Sequence, residues 1–231
     1  MVKTVLAETT FVDTPSEDLK RIRERFLRAL IGGDRTRCAG LVREFQEISP
    51  SPVALYEHLF KAALYEVGTL WEKNLISVAT EHLSTALVEA LMNEQYDRLV
   101  PDQRNGRTLV AAAVEDEKHQ VGIKMVADVF AMHGWDSRFL GAGIPTGELL
   151  RYAETVQPEL IALSLSVYFH IPKLEDMLRR ITATFPRVPV VVGGQAFLHG
   201  GHEVLARYPD ITYLPDLSAV ELFIVSAGRE E

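Results

Sequence analysis

"RTLVAAAVEDEKHQVG", residues 107–122, changes character twice in a short span. Leu109 to Val114 are apolar without a break, Glu115 to Gln120 are all polar, and Val121 opens a segment with helical spacing. A continuous apolar run of this length, closed by polar residues and followed by a helix, reads as a strand buried on both faces. The same unit recurs downstream as "WDSRFLGAG" with "TGELLRYAETVQ", "PELIALSLS" with "IPKLEDMLRRITATF", "PVVVGGQA" with "GHEVLARYP", and "ITYLP" with "SAVELFIVSAG". Alternating strands and helices predict an α/β fold over residues 106–231: a doubly wound parallel sheet, flavodoxin-like or Rossmann-like. Such sheets bind ligands outside the carboxyl ends of their strands. The polar stretch from Glu115 to Gln120 lies at the first of those ends.

The preceding part has a different period. "SEDLKRIRERFLRALIGGD" places Leu19, Ile22, Phe26, Leu27 and Leu30 at helical spacing, with Ser16 as N-cap and Gly32-Gly33 as the stop. Asp34 caps "RTRCAGLVREFQEI", which "SPSP" ends, since proline cannot continue a helix. "VALYEHLFKAALYEVGTLWEKN" and "VATEHLSTALVEALMNEQYDRLV" make a third helix and a fourth. Residues 16–100 are therefore expected to form a four-helix bundle, preceded by a tail over residues 1–15.

Composition narrows the function. A net charge of -8 with dispersed acids gives no basic face for phosphates, so direct nucleic-acid binding is not expected. One cysteine, Cys38, rules out an internal disulfide and a cysteine-rich zinc site. No apolar run reaches the roughly 18 residues of a membrane span, and the N-terminal stretch is too weak for a secretory signal, so a cytoplasmic protein without membrane contact is expected.

Three strand ends carry unusual residues. After the first come Glu117 and His119, with Val121 and Gly122 opening the helix; the third ends in Ser164 and Ser166; the fourth ends in Gly193 and Gly194. Small residues leave a slot, and glycines let a ligand approach the backbone. An imidazole beside that slot can reach in. The plainer alternatives are a solvated histidine near a helix start at Gln120 and an ordinary tight turn at Gly193-Gly194.

The spacing E-x-H-x-x-G, 41 residues, S-x-S, 26 residues, G-G resembles the signature of cobalamin-binding domains, usually written with Asp in the first position. The resemblance implies cobalamin held base-off and His-on, with His119 as the lower cobalt ligand. It implies that Glu117 orients His119 as the carboxylate behind it, with one methylene more than Asp. Ser164 and Ser166 would contact the displaced base or the corrin amides, and Gly193 with Gly194 would admit the nucleotide tail.

In the helical part, Trp71, nine residues and then Glu81-His82 are similar to the W-x9-E-H motif of light-sensing cobalamin domains with a helical cap. A core tryptophan and a carboxylate near a helix N-terminus are the plainer alternative. The resemblance implies that Trp71 packs against the upper axial group, adenosyl or methyl, with Glu81 and His82 around it. Some photoreceptors have histidine directly after the tryptophan; this chain has Glu72. Photoreceptor repressors also carry an N-terminal helix-turn-helix domain, whereas about 15 residues precede this bundle. Output is accordingly expected through a regulatory protein partner or a homo-oligomer.

Among other candidates, His170 follows "SVYF" and can border the pocket, as can Tyr168 and Phe169. His58 and His133 fall in helices, and His199 with His202 lack the carboxylate or thiol cluster of a separate metal site. The expected function is a stand-alone, non-enzymatic, light-responsive cobalamin sensor in transcription regulation. The alternative is a corrinoid methyl carrier of a methyltransferase system.

Overall fold

The computed structural model describes residues 17–227, and the chain divides into two compact units between Leu99 and Val100. The tail over residues 1–15 and the N-cap at Ser16 lie outside the described residues.

In the helical unit, α1 (Glu17–Ile31) buries Ile22, Phe26, Ala29 and Leu30 along one stripe. After the Gly32-Gly33 stop, the Asp34 side chain accepts the Arg37 N–H and starts α2 (Arg35–Ile48), which buries Cys38, Leu41, Val42 and Phe45. Ser51 caps the next helix and Pro52 takes its first position, where no N–H is needed. That helix, α3, runs over residues 52–72, and its stretch Leu55–Lys61 is π-helical where the sequence predicts a uniform α-helix. Within the wider turns the Tyr56 and Phe60 rings lie 5.7 Å apart, and Phe60 meets Phe26 at 5.8 Å. The last helix, α4 (Val78–Leu99), turns Val88, Leu91 and Met92 inward.

The second unit is a five-stranded parallel sheet in the order β2-β1-β3-β4-β5. Its strands are β1 (Thr108–Ala113), β2 (Asp136–Gly141), β3 (Leu160–Ser164), β4 (Val190–Gly193) and β5 (Ile211–Tyr213). They are shorter than the apolar runs suggest, because each run continues into the loop beyond its strand. Between them lie α5 (Val121–Met132), α6 (Thr146–Val156), α7 (Ile171–Thr184) and a single turn, α8 (His202–Leu205), with α9 (Leu217–Ala227) last. Val110, Ala112 and Val114 pack with Ile161, Leu163, Leu149 of α6 and Leu174 of α7. Strand alternation sends Leu109, Ala111 and Ala113 to the opposite face, where α5 packs on β1 and β2 and α9 on α5. All three are fully buried, which explains the absence of a polar alternation in β1.

Chain order reverses between β1 and β3, because one strand winds outward to β2 and the other toward β4. The crevice at that reversal is where open α/β sheets hold ligands. Two close approaches mark the end of β4, next to β3. A Cβ at Gly194 (φ 116°) would lie 2.1 Å from the Leu165 carbonyl oxygen, and one at Gly193 would lie 2.6 Å from that of Leu214. Both glycines are therefore demanded by neighbouring backbone, whatever else they admit.

Beside the crevice, Glu115 closes the start of α6. Its carboxylate accepts the Thr146 N–H at 2.9 Å and also the Thr146 hydroxyl. Those two bonds hold its carboxyl below the ordinary value. A depressed carboxyl contributes stability above its unfolded pKa and loses it as pH falls through the folded one. Glu115→Gln should therefore cost about 1 kcal/mol at neutral pH. The gap to the unaltered chain should close as pH drops below the ordinary carboxylate range, measured by denaturant titration at several pH values.

Candidate functional site

Parallel pairing sets Ala113 of β1 beside Ser164 of β3, so the loops that follow the two strands start side by side. Val114 continues the ladder, its N–H on the Ser164 carbonyl at 3.0 Å. Asp116 then takes a left-handed conformation (φ 71°), and the Glu117 N–H closes back on the Val114 carbonyl at 2.9 Å. This tight turn accompanies the inward placement of Glu117, which is 0% exposed.

A buried carboxylate must find donors, and here they converge from both loops. Oε2 accepts Nδ1 of His119 at 2.9 Å. Oε1 accepts the Val167 N–H at 2.7 Å, the Ser166 N–H at 3.1 Å and Nδ1 of His170 at 3.1 Å. Burial alone would push the Glu117 carboxyl up; the bonds from His119, Val167 and His170 outweigh it and hold the group below the usual range. Glu117 is ionised, and it ties the β1 loop to the β3 loop. The extra methylene relative to Asp leaves the bond to His119 intact.

His119 has a half-exposed side chain (54%) and donates from Nδ1 to a carboxylate. That bond favours the tautomer whose lone pair sits on Nε2, the arrangement of a metal-ligating histidine backed by an acid. Among the described residues no cluster of three or more His, Cys, Asp or Glu could hold a metal ion. His119 offers a single nitrogen, the kind of donor that would suit a metal already ligated by a macrocycle such as a corrin. The donor set fits cobalamin.

The remaining predicted residues fall around this centre. Val121 is buried at the first position of α5. A Cβ at Gly122 would reach only the Ser164 hydroxyl, at 3.6 Å, so nothing within the chain demands glycine there. Ser164 is buried, and Ser166 enters through its backbone. Tyr168 and Phe169 begin a short 3-10 turn (Tyr168–His170) whose outer face is apolar and open, Phe169 being 89% exposed. Leu198, in the turn after β4, is also open, and no sequence signal pointed to it. His170 is drawn in as a partner of Glu117. His133 lies 3.4 Å from Glu221, and His202 packs its ring on Phe197 and Tyr213.

In the helical unit Trp71 is 45% exposed at the end of α3, so it is not a core tryptophan. Across the turn over residues 73–77, Glu81 in the first turn of α4 accepts Nδ1 of His82 at 2.6 Å and the Thr85 hydroxyl at 3.0 Å. Leu75, Val78 and Leu83 are exposed in the same stretch of chain.

Known families match both units. Residues 107–214 match the B12 binding domain, and residues 22–94 match a second family of the same description. The chain belongs to the B12-binding-domain proteins. It is 29% identical over 176 residues to the HTH-type transcriptional repressor CarH of Myxococcus xanthus, covering 75% of this chain and 58% of that one. It is 31% identical over 185 residues to the repressor CarA of the same organism, covering 77% and 59%. The chain thus spans under three fifths of either repressor. With trimethylamine corrinoid protein 1 of Methanosarcina acetivorans it shares 24% identity, covering 72% of this chain and 79% of that one. The fold matches the Methanosarcina barkeri monomethylamine corrinoid protein with a TM-score of 0.73 at 14% identity, over 90% of this chain and 99% of that one. Its relatives thus include both transcriptional regulators and corrinoid proteins. The expectation of no direct DNA contact stands beside two relatives named HTH-type repressors. No helix among the described residues is long and apolar enough to cross a membrane.

The Glu117 network predicts a measurable cost. Glu117→Gln keeps the shape but removes the charge and puts an amide N–H2 where one oxygen accepted a hydrogen bond. The change should destabilise the sheet unit by about 2–3 kcal/mol at neutral pH, read from denaturant unfolding.

Proposed function

We propose that the chain is a cobalamin-binding regulatory protein in which His119 is the lower cobalt ligand through Nε2, with the cofactor base-off. The observation that carries this is the buried, ionised Glu117 holding His119 by Nδ1 at the crevice between β1 and β3. Ser164, Ser166 and Gly122 line the path of the nucleotide tail, and Gly193 with Gly194 form its floor. Trp71, Glu81 and His82 would hold the group opposite the histidine, and adenosyl- or methylcobalamin would supply a light-labile cobalt–carbon bond there. Loss of that group would change an association surface read by a regulatory partner or a second copy of the chain. The resemblance to two transcriptional repressors supports a regulatory output.

A second reading is a corrinoid methyl carrier serving a methyltransferase. It is favoured by the coverage of the trimethylamine corrinoid protein and the fold likeness to the monomethylamine one. Against it stands the exposed Trp71 with the Glu81–His82 pair, a fitting for an upper group larger than methyl.

Two measurements separate these outcomes. Reconstituted protein should show the base-off spectrum, and His119→Ala should weaken cobalamin binding at least about tenfold; unchanged affinity and spectrum would remove His119 from the site. Green or blue light on the adenosyl form should change both the absorption spectrum and the size-exclusion volume. A spectral change with no change in size or partner binding would favour the carrier.

A further inference from the structure

His170 occupies the N-cap position of α7, where a side chain ordinarily accepts an N–H of the first turn. Its ring caps nothing there. It turns back instead to Glu117, with Nδ1 3.1 Å from Oε1 and 28% of the side chain exposed. An ionised carboxylate only accepts, so Nδ1 carries the proton in His170 as it does in His119. The two oxygens of Glu117 are unequally loaded. Oε2 serves the His119 ring, whereas Oε1 takes the N–H groups of Ser166 and Val167 together with that of His170. The two backbone donors come with the loop after β3, but the third depends on a side chain. Each donor that stabilises the negative charge leaves less of it to polarise the remaining bonds.

We propose that His170 is a positioning residue that tempers His119: by drawing charge to Oε1 it weakens the bond from Oε2 to the His119 Nδ1–H, and so limits the donor strength of Nε2 toward cobalt. The inference rests on the cofactor reading above. A carboxylate behind a metal-ligating histidine raises the basicity of the ligand. His119 stays a stronger donor than an unbacked imidazole, yet a weaker one than the same pair would make with no second histidine on the acid. The lower ligand is thereby held in place and still able to let go. The sign of the effect separates this role from a bracing one. A brace, once lost, would loosen Glu117 and weaken the fold and the cobalt bond together. Tempering predicts a looser fold with a stronger cobalt bond.

The test compares three variants of the full chain. His170→Phe keeps a flat ring without the N–H, His170→Asn returns a donor near the place of Nδ1, and His170→Ser is too short to reach Glu117 but can cap α7, which preserves the fold should the Phe variant fail to form it. Without cofactor, His170→Phe should unfold about 3–6 °C lower, and the His119 Nδ1–H resonance should move downfield in both the Phe and Ser variants. With methylcobalamin, both should bind about threefold tighter and show a larger His119-coordinated fraction by absorption, with nitrogen splitting in the spin-resonance spectrum of bound cob(II)alamin. His170→Asn should return each value toward that of the unaltered chain. Affinity and coordinated fraction that fall with the unfolding temperature, or that do not move, would overturn the inference and leave the cofactor reading standing. An unaltered chain that binds no methylcobalamin, or binds it without the His119 nitrogen, would overturn the cofactor reading itself, and this inference with it.

Discussion

A carboxylate with no access to water cannot stay charged unless donors replace the water it has lost, and Glu117 has found them on two different loops. Two of the four are backbone N–H groups of Ser166 and Val167, so the path of the chain after β3 is set by a side chain that follows β1. A third is His170, which anchors the start of α7 to the same oxygen. The fourth is His119, the one member whose ring is half-exposed. The imidazole therefore sits in a frame of two strands and two helices, with its orientation fixed before any ligand arrives. Ligand binding then costs little ordering of the ring, which is what preorganisation means in energetic terms.

The alternation of apolar runs and helical stretches was legible because both faces of the sheet are covered, so β1 and β3 carry no polar interruption. Glu117 and His119 were legible from their spacing, and so was the motif at three strand ends. The rest of the network was not. That His170 and the N–H groups of Ser166 and Val167 reach Glu117 follows from the parallel register of β1 with β3, and local sequence carries no signal for register between strands so far apart. The π-helical stretch Leu55–Lys61 escaped for a different reason: fewer than two turns of altered pitch leave a 3.6-residue pattern recognisable on both sides. Trp71 was ambiguous in sequence because a tryptophan at a helix end serves a core or a surface equally well, and only its exposure decides.

The glycines separate two kinds of constraint that sequence alone merges. At Gly193 and Gly194 the demand is internal, since Leu165 and Leu214 backbone oxygens occupy the space a Cβ would need. A fold of this kind would keep those residues even with no ligand. At Gly122 the space is open, so the reason for glycine must come from outside the chain or not exist at all. The sequence reading gave Gly193 and Gly194 a role in admitting the nucleotide tail. The close backbone approach gives them an internal reason to be glycine that needs no ligand.

Each unit also leaves large apolar side chains in water. Phe169 and Leu198 project from the turns after β3 and β4, and Trp71, Leu75, Val78 and Leu83 cluster about the turn between α3 and α4. Scattered exposed hydrophobics need no explanation, but grouped ones mark a surface that is covered in the working state. In the sheet unit Phe169 directly precedes His170, which shares the Glu117 carboxylate with His119. In the helical unit Val78 and Leu83 flank the Glu81–His82 pair along α4. A corrin is a broad ring with two chemically distinct faces, and the lower face asks for a single strong nitrogen donor held rigidly. The Glu117–His119 pair, its carboxylate buried and its imidazole half-exposed, suits that demand.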